Sequence, residues 1–259
     1  MAQRSCLIID DSRTQLTAIM RMIPIDGWQA FIAESFDVAR QYAAEEIELI
    51  LLDVFLGKQN GIDLLPDIRK IWPKATIAVM TAGDGDDEEV KAQLKRAKAQ
   101  GVDHLVRKPF GKAAMNDLLV DAERIADTGR RLLHVLVVDD TRLFREMAAT
   151  NLRKVGCRVS VAGDMETALE ALVYDVIDVV MTDIFMPGMG GLAGTKIIRE
   201  NYPGIGIIAM SGGFGELESE DALLAAHKVG ADYCVAKPFD ASQLKYALKL
   251  AMANPRHAS

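Results

Sequence analysis

The strongest constraint on this chain is that it carries the same pattern twice. CLIIDDSRTQL at 6–16 matches VLVVDDTRLFR at 135–145, each an apolar run ending in two aspartates and a hydroxyl residue. LILLDVFLGKQNG at 49–61 matches VVMTDIFMPGMGG at 179–191, and IAVMTAG at 77–83 matches IIAMSGG at 207–213. GVDHLVRKPF at 101–110 matches GADYCVAKPF at 230–239. The four blocks keep their order and a spacing of 129 or 130 residues. A unit of about 125 residues is a whole domain, far longer than a solenoid repeat. A chain of 259 residues suits two such domains. A helical pattern over 113–126 runs into DTGRR before the next apolar run, so the expected domains are 1–128 and 133–259.

Within each copy, short apolar runs alternate with amphipathic stretches. Leu7–Ile9, Leu49–Leu52, Ile77–Met80 and Leu105–Val106 read as strands buried on both faces. Thr14–Ile23, Val38–Ala44, Ile62–Ile71 and Glu88–Gln100 read as helices. The last has acids at its start and Lys95, Arg96 and Lys98 near its end, which suits the helix macrodipole. Strand and helix alternating five times imply an α/β fold, a doubly wound parallel sheet with right-handed crossovers. Functional groups in such sheets gather at the carboxyl ends of the strands.

The informative residues fall at those ends. In the first copy these are Asp10 and Asp11 after strand one, Asp53 after strand three, Thr81 after strand four and Lys108 before Pro109. The second copy places Asp139, Asp140, Asp183, Ser211 and Lys237 equivalently. Three carboxylates converging on one point repel one another unless a cation sits among them. Hard oxygen ligands with room for phosphate oxygens favour Mg²⁺, with Mn²⁺ as the alternative. A carboxylate can attack phosphorus, and the transferring group then needs positive charge and donors around its oxygens. The metal, the lysine and the Thr or Ser hydroxyl would supply them.

The set Asp-Asp, Asp, Thr/Ser and Lys-Pro-Phe at these intervals resembles the receiver domain of two-component response regulators, over nearly the whole chain. The resemblance implies two flavodoxin-like (CheY-like) five-stranded sheets of order 2-1-3-4-5. It implies phosphoryl transfer onto Asp53 and Asp183 from a histidine kinase or histidine phosphotransfer protein, as in a phosphorelay. Asp10, Asp11, Asp139 and Asp140 would help hold Mg²⁺, with the backbone carbonyls of Phe55 and Phe185 completing its protein ligands. The Lys108–Pro109 and Lys237–Pro238 bonds are expected to be cis, aiming each lysine into its site. Two departures stand out. Leu56-Gly57 replaces the Met186-Pro187 pair of the second copy, and positions 105 and 234 are Leu and Cys where many receivers carry an aromatic. The stretches from Thr81 to Lys108 and from Ser211 to Lys237 are long, so Gly83–Asp87 and Gly212–Glu220 are expected to be extended loops.

Composition narrows the rest. A net charge of −7 argues against nucleic-acid binding. No apolar stretch approaches the roughly 20 residues of a membrane helix, and the N-terminus does not read as a signal peptide. Cys6, Cys157 and Cys234 lack metal-ligand spacing and suit a reducing cytoplasm. The histidines read as structural or surface groups and the methionines as core filler. Singly, each Asp-Asp pair is an ordinary helix cap, and Lys108 or Lys237 an ordinary surface charge. Jointly, twice over, those readings fail.

With the two domains filling the chain, output is expected through contact with a downstream protein. A homodimer is one assembly option. No enzymatic turnover is expected beyond self-dephosphorylation. The alternatives are an adaptor that scaffolds a kinase, one receiver serving as a docking or phosphate-sink domain, and a phosphatase with an aspartate nucleophile. The last places its nucleophile in a DxD pattern after the first strand, unlike this chain.

Overall fold

A computed structural model describes residues 3–82, 87–212 and 224–253. The chain forms two compact units whose main changeover falls at Arg131 and Leu132.

The first unit runs β1 (Arg4–Ile9), α1 (Arg13–Met20), β2 (Trp28–Ala33), α2 (Phe36–Ala39), β3 (Leu49–Asp53), α3 (Leu65–Ile71), β4 (Thr76–Thr81), α4 (Glu88–Ala99), β5 (His104–Arg107) and α5 (Lys112–Thr128). The strands pair in the order β2-β1-β3-β4-β5, all parallel. The register sets Cys6 opposite Ala30 on one side and Leu49 on the other. Alternation along the strands then divides the core into two layers. Leu7, Ile9, Ile50, Leu52, Ile77 and Val79 face Phe36, Leu65, Ile68, Val90 and Leu94 from α2, α3 and α4. Cys6, Ile8, Leu49, Leu51, Ala78 and Met80 face Leu16 and Ile19 of α1 and Met115, Leu118 and Ala122 of α5.

The second unit repeats this plan. It runs β6 (His134–Val138), α6 (Arg142–Lys154), β7 (Arg158–Ala162), α7 (Met165–Tyr174), β8 (Val179–Asp183), α8 (Gly191–Asn201), β9 (Gly206–Ser211), a helix α9 described over 224–229, β10 (Tyr233–Ala236) and α10 (Ala241–Met252). Its order is β7-β6-β8-β9-β10, again all parallel. Both sheets therefore follow the expected 2-1-3-4-5 order, with the strand order reversing beside the first strand.

Helix ends follow local chemistry. Asp87 caps α4, its carboxylate accepting from the backbone N–H groups of Glu89 (2.9 Å) and Val90 (3.4 Å). Ser12 caps α1 through the N–H of Gln15, whereas Thr141 makes no such side-chain bond to α6. Gly129 ends α5 at φ 67°, where a residue with a Cβ is strained.

Three helical stretches differ from the sequence pattern. The periodicity over 38–44 becomes one α-turn, Phe36–Ala39, followed by a 3₁₀ turn at Arg40–Tyr42. The first residues of the 62–71 stretch are also 3₁₀, at Gly61–Leu64, before α3 begins. The first helix stops at Met20, short of Ile23. Short segments that pack on a sheet face satisfy the apolar period without completing α-helical turns. Of the two expected loops, residues 83–86 and 213–220 lie outside the described residues, as does His257.

One ion pair recurs in both units. Arg69 of α3 reaches Asp103 (3.1 Å) and the carbonyls of Ala75 and Gly101, and Asp103 also accepts from the N–H of Ile77 (2.8 Å). In the second unit Arg199 reaches Asp232 (2.6 Å) and the carbonyls of Pro203, Ile205 and Gly230, and Asp232 accepts from Ile207 (2.8 Å). Each pair clamps the end of one helix to the start of the fourth strand.

The histidines in the described residues read as structural. His104 lies 2.9 Å from Asp121 with both groups largely buried, and the His134 ring meets Ser160 at 2.8 Å. Met80, Met115, Met165, Met181 and Met210 are buried core. Among the described residues no helix is long and apolar enough to cross a membrane.

Candidate functional sites

Each parallel sheet delivers its polar strand ends to one edge. In the first unit Asp10 follows β1 and is fully buried. Its Oδ1 accepts from the N–H of Ser12 (2.9 Å), which fixes the carboxylate as the chain turns into α1. Asp53 closes β3, Thr81 closes β4, and the N–H of Lys108 donates to the carbonyl of Thr81 (2.8 Å). The Lys108 ammonium lies 2.7 Å from Asp10 Oδ2 and 3.0 Å from Asp53 Oδ1. Asp11 is exposed, yet its carboxylate joins those of Asp10 and Asp53 within 4.8 Å of one another.

The second unit reproduces this set. Asp139 Oδ1 accepts from Thr141 (2.9 Å), and Lys237 lies 2.5 Å from Asp139 Oδ2 and 2.8 Å from Asp183 Oδ2. The N–H of Lys237 donates to the carbonyl of Ser211 (2.7 Å). Asp139, Asp140 and Asp183 also fall within 4.8 Å of one another. Both Lys-Pro bonds are cis, as expected.

Burial holds the carboxyl of Asp53 above its usual range. Asp10 adds to that push and Lys108 opposes it. Asp183 is raised for the same leading reason, opposed by Lys237. A carboxyl whose folded pKa is raised contributes stability below its unfolded pKa and loses it as the pH climbs through the folded value. The charged form of each acid is therefore the one the fold disfavours. Asp53→Asn is expected to stabilise the metal-free first unit at neutral pH. It should also abolish that unit's stabilisation by Mg²⁺. Thermal melts with and without millimolar Mg²⁺ check both, and equal Mg²⁺ shifts in wild type and variant would refute the metal assignment.

The donor set fits a hard divalent cation. Three carboxylates face one ammonium in each unit, leaving net negative charge, and all offered atoms are oxygens. A second feature lies at the end of the fourth strand of each sheet. The hydroxyls of Thr81 and Ser211 are buried without a hydrogen-bond partner. Buried hydroxyls are rarely left this way, and the same orphan recurs at the same place in both units.

Phe55 opens a two-stranded hairpin (Phe55–Leu56 with Gln59–Asn60), and its ring is half-exposed. Phe185 is likewise half-exposed, and its N–H donates to Asp183 Oδ1 (3.2 Å). Leu105 is buried, Cys234 half-buried, and Tyr233 meets Tyr246 edge-on at 6.0 Å between ring centroids.

Sequence reasoning missed two residues that shape the sites. A Cβ on Gly61 would sit 2.0 Å from the carbonyl oxygen of Asp53, and one on Gly191 would sit 1.8 Å from that of Asp183. The available signal was the glycine that ends both copies of the third-strand block.

Fold and site together define a class: a two-domain α/β protein with an acid trio, an opposed lysine and an orphan hydroxyl at each sheet's carboxyl edge. The family profile for the response regulator receiver domain matches residues 6–120 and 135–249, and the chain belongs to that family. Protein PilG of Pseudomonas aeruginosa is 33% identical over 122 residues, covering 45% of this chain and 85% of PilG. The CAI-1 autoinducer sensor kinase/phosphatase CqsS of Vibrio cholerae is 29% identical over 227 residues, covering 83% of this chain and 32% of CqsS. The solved structure of the chemotaxis protein CheY4 of Vibrio cholerae is 28% identical, covering 46% of this chain and 97% of that one, with a TM-score of 0.41. Several relatives are much longer than the region they share with this chain, which spans 20% of the yeast transcription factor SKN7.

Proposed function

We propose that the chain accepts phosphoryl groups on Asp53 and Asp183 from a histidine kinase or a histidine phosphotransfer protein, within the domain limits 1–128 and 133–259. The observation that carries this reading is the repeated geometry: a lysine bridging the first- and third-strand acids, with a partnerless hydroxyl at the end of the fourth strand.

The chemistry follows from these groups. A carboxylate oxygen of Asp53 or Asp183 attacks phosphorus, the P–N bond to the donor histidine breaks, and the departing imidazole takes up a proton. Bound Mg²⁺, held by Asp10, Asp11, Asp53 and the Phe55 carbonyl or their counterparts Asp139, Asp140, Asp183 and Phe185, would supply positive charge for the phosphoryl oxygens. Lys108 or Lys237 contributes a second cation, already within 3.0 Å of the acceptor. Thr81 or Ser211 donates its hydroxyl to a phosphoryl oxygen, which satisfies the orphan. That movement at the end of the fourth strand alters the neighbouring surface and so changes binding to a downstream protein. No phosphoester turnover accompanies it beyond self-dephosphorylation. The three cysteines, all free, suit a reducing compartment such as the cytoplasm.

The test is a small phosphodonor with Mg²⁺, read by intact mass. Wild type should gain two phosphates, Asp53→Asn and Asp183→Asn one each, and the double variant none. Uptake that persists in the double variant, or none in wild type, would overturn the reading.

A further inference from the structure

The two sites share their acid trio and bridging lysine but differ in what lies behind the lysine. Phe144 of α6 lies against Lys237, whose ammonium sits 4.8 Å from the ring centroid while its side chain is only 5% exposed. The position corresponding to Phe144 in the first unit, 129 residues earlier, is Gln15 of α1. There the amide Oε1 is buried without a partner. Gln15 and Lys108 both line a cavity of about 340 Å³ with Ile19, Met22 and Phe110. One lysine is backed by an aromatic face, the other by a cavity and an unpaired amide oxygen.

We propose that Phe144 is a positioning residue for Lys237, and that the two phosphoacceptor sites are thereby unequal. This rests on the phosphoryl-acceptor reading above. An ammonium attracted to a ring quadrupole gains most where water is excluded, as at Lys237. The ring adds a third attraction to those of Asp139 and Asp183, so the lysine is held ready for the phosphoryl oxygens. In the first unit Lys108 has the same two acids, but Gln15 offers no ring face. Phosphorylation at Asp53 therefore begins from a less ordered cation, and ordering it costs rate.

The experiment uses the full chain in two backgrounds that isolate one acceptor each. With Asp53→Asn, the initial rate of phosphate uptake at Asp183 is measured from a small phosphodonor for Phe144, Phe144→Tyr and Phe144→Leu. Tyr keeps the ring face and should keep the rate. Leu keeps apolar bulk but lacks the quadrupole and should lower the rate about fivefold. With Asp183→Asn, Gln15→Phe should raise the rate at Asp53. Unchanged melting curves separate these effects from misfolding. In parallel, the side-chain methylene protons of Lys237 next to the ammonium should show a ring-current upfield shift that survives in Phe144→Tyr and disappears in Phe144→Leu. A rate that persists in Phe144→Leu, or a Gln15→Phe variant no faster than its parent, overturns the positioning role. If no variant takes up phosphate, the acceptor reading falls. The lysine spectrum then decides the contact, and an unshifted Lys237 in wild type overturns it.

Discussion

Gly191→Ala is expected to destabilise the second unit by about 3 kcal/mol and lower its melting temperature by roughly 10–15 °C. The added Cβ would lie 1.8 Å from the Asp183 carbonyl oxygen, 2.7 Å from its carbonyl carbon and 2.8 Å from the Ile184 Cα. All three are backbone atoms, so no side chain can swing away. Either the start of α8 or the end of β8 must move, and β8 ends in Asp183. The variant should therefore lose phosphate uptake at Asp183 even at temperatures where it stays folded. Gly61→Ala should do the same in the first unit, where the clash is 2.0 Å with the Asp53 carbonyl oxygen. Gly190→Ala is the control. That residue has φ 69° and ψ 156°, a region almost reserved for glycine, and its Cβ would meet only the Met186 carbonyl at 3.6 Å, so the cost is backbone strain of about 2 kcal/mol. Trp28 and Trp72 are the only tryptophans and both lie in the first unit. Their fluorescence follows that unit, and amide exchange by mass spectrometry follows the other. A Gly191→Ala protein no less stable than Gly190→Ala would contradict the packing argument.

The second large effect belongs to the repeated clamp. Asp232→Ala should destabilise the second unit by about 3–5 kcal/mol, because it strands the Arg199 guanidinium, whose side chain is 12% exposed. It also removes the acceptor for the Ile207 N–H at the start of β9. The corresponding Asp103→Ala should cost the first unit less, about 1–2 kcal/mol, since that pair is more open to water. Denaturant titration with the two probes checks the ordering. Equal costs in the two units would mean that burial of the pair does not govern its contribution. Neither variant touches the acid trio, so phosphate uptake per folded molecule should survive. That outcome separates clamp from catalyst, whereas the glycine variants affect both.

Much of the site was legible because it recurs. Asp10, Asp11, Asp53, Thr81 and Lys108 each admit an ordinary explanation, but all five reappear 129 or 130 residues later at strand ends. Parallel topology then requires them to converge, since every strand points its carboxyl end the same way. Helix character was less readable. The 38–44 periodicity was apolar in the right places, yet only one α-turn forms there before the 3₁₀ turn at Arg40–Tyr42. Period reports which face is buried, not how many backbone hydrogen bonds close.

The strand order was implied by the resemblance to receiver domains. The amino-acid sequence by itself determined the duplication, the doubly wound α/β plan and the residues at each sheet's carboxyl edge. These follow from local periodicity and from chain chirality, which every short segment expresses on its own. The tertiary structure alone decided three further matters. They are the close approach of Gly61 and Gly191 to the acceptor carbonyls, the pairing of Arg69 and Arg199 with acids more than thirty positions away, and the placing of Phe144 against Lys237. The first depends on how tightly the chain turns back after the third strand, and the other two on distances between segments remote in sequence, which are set only when the two core layers pack.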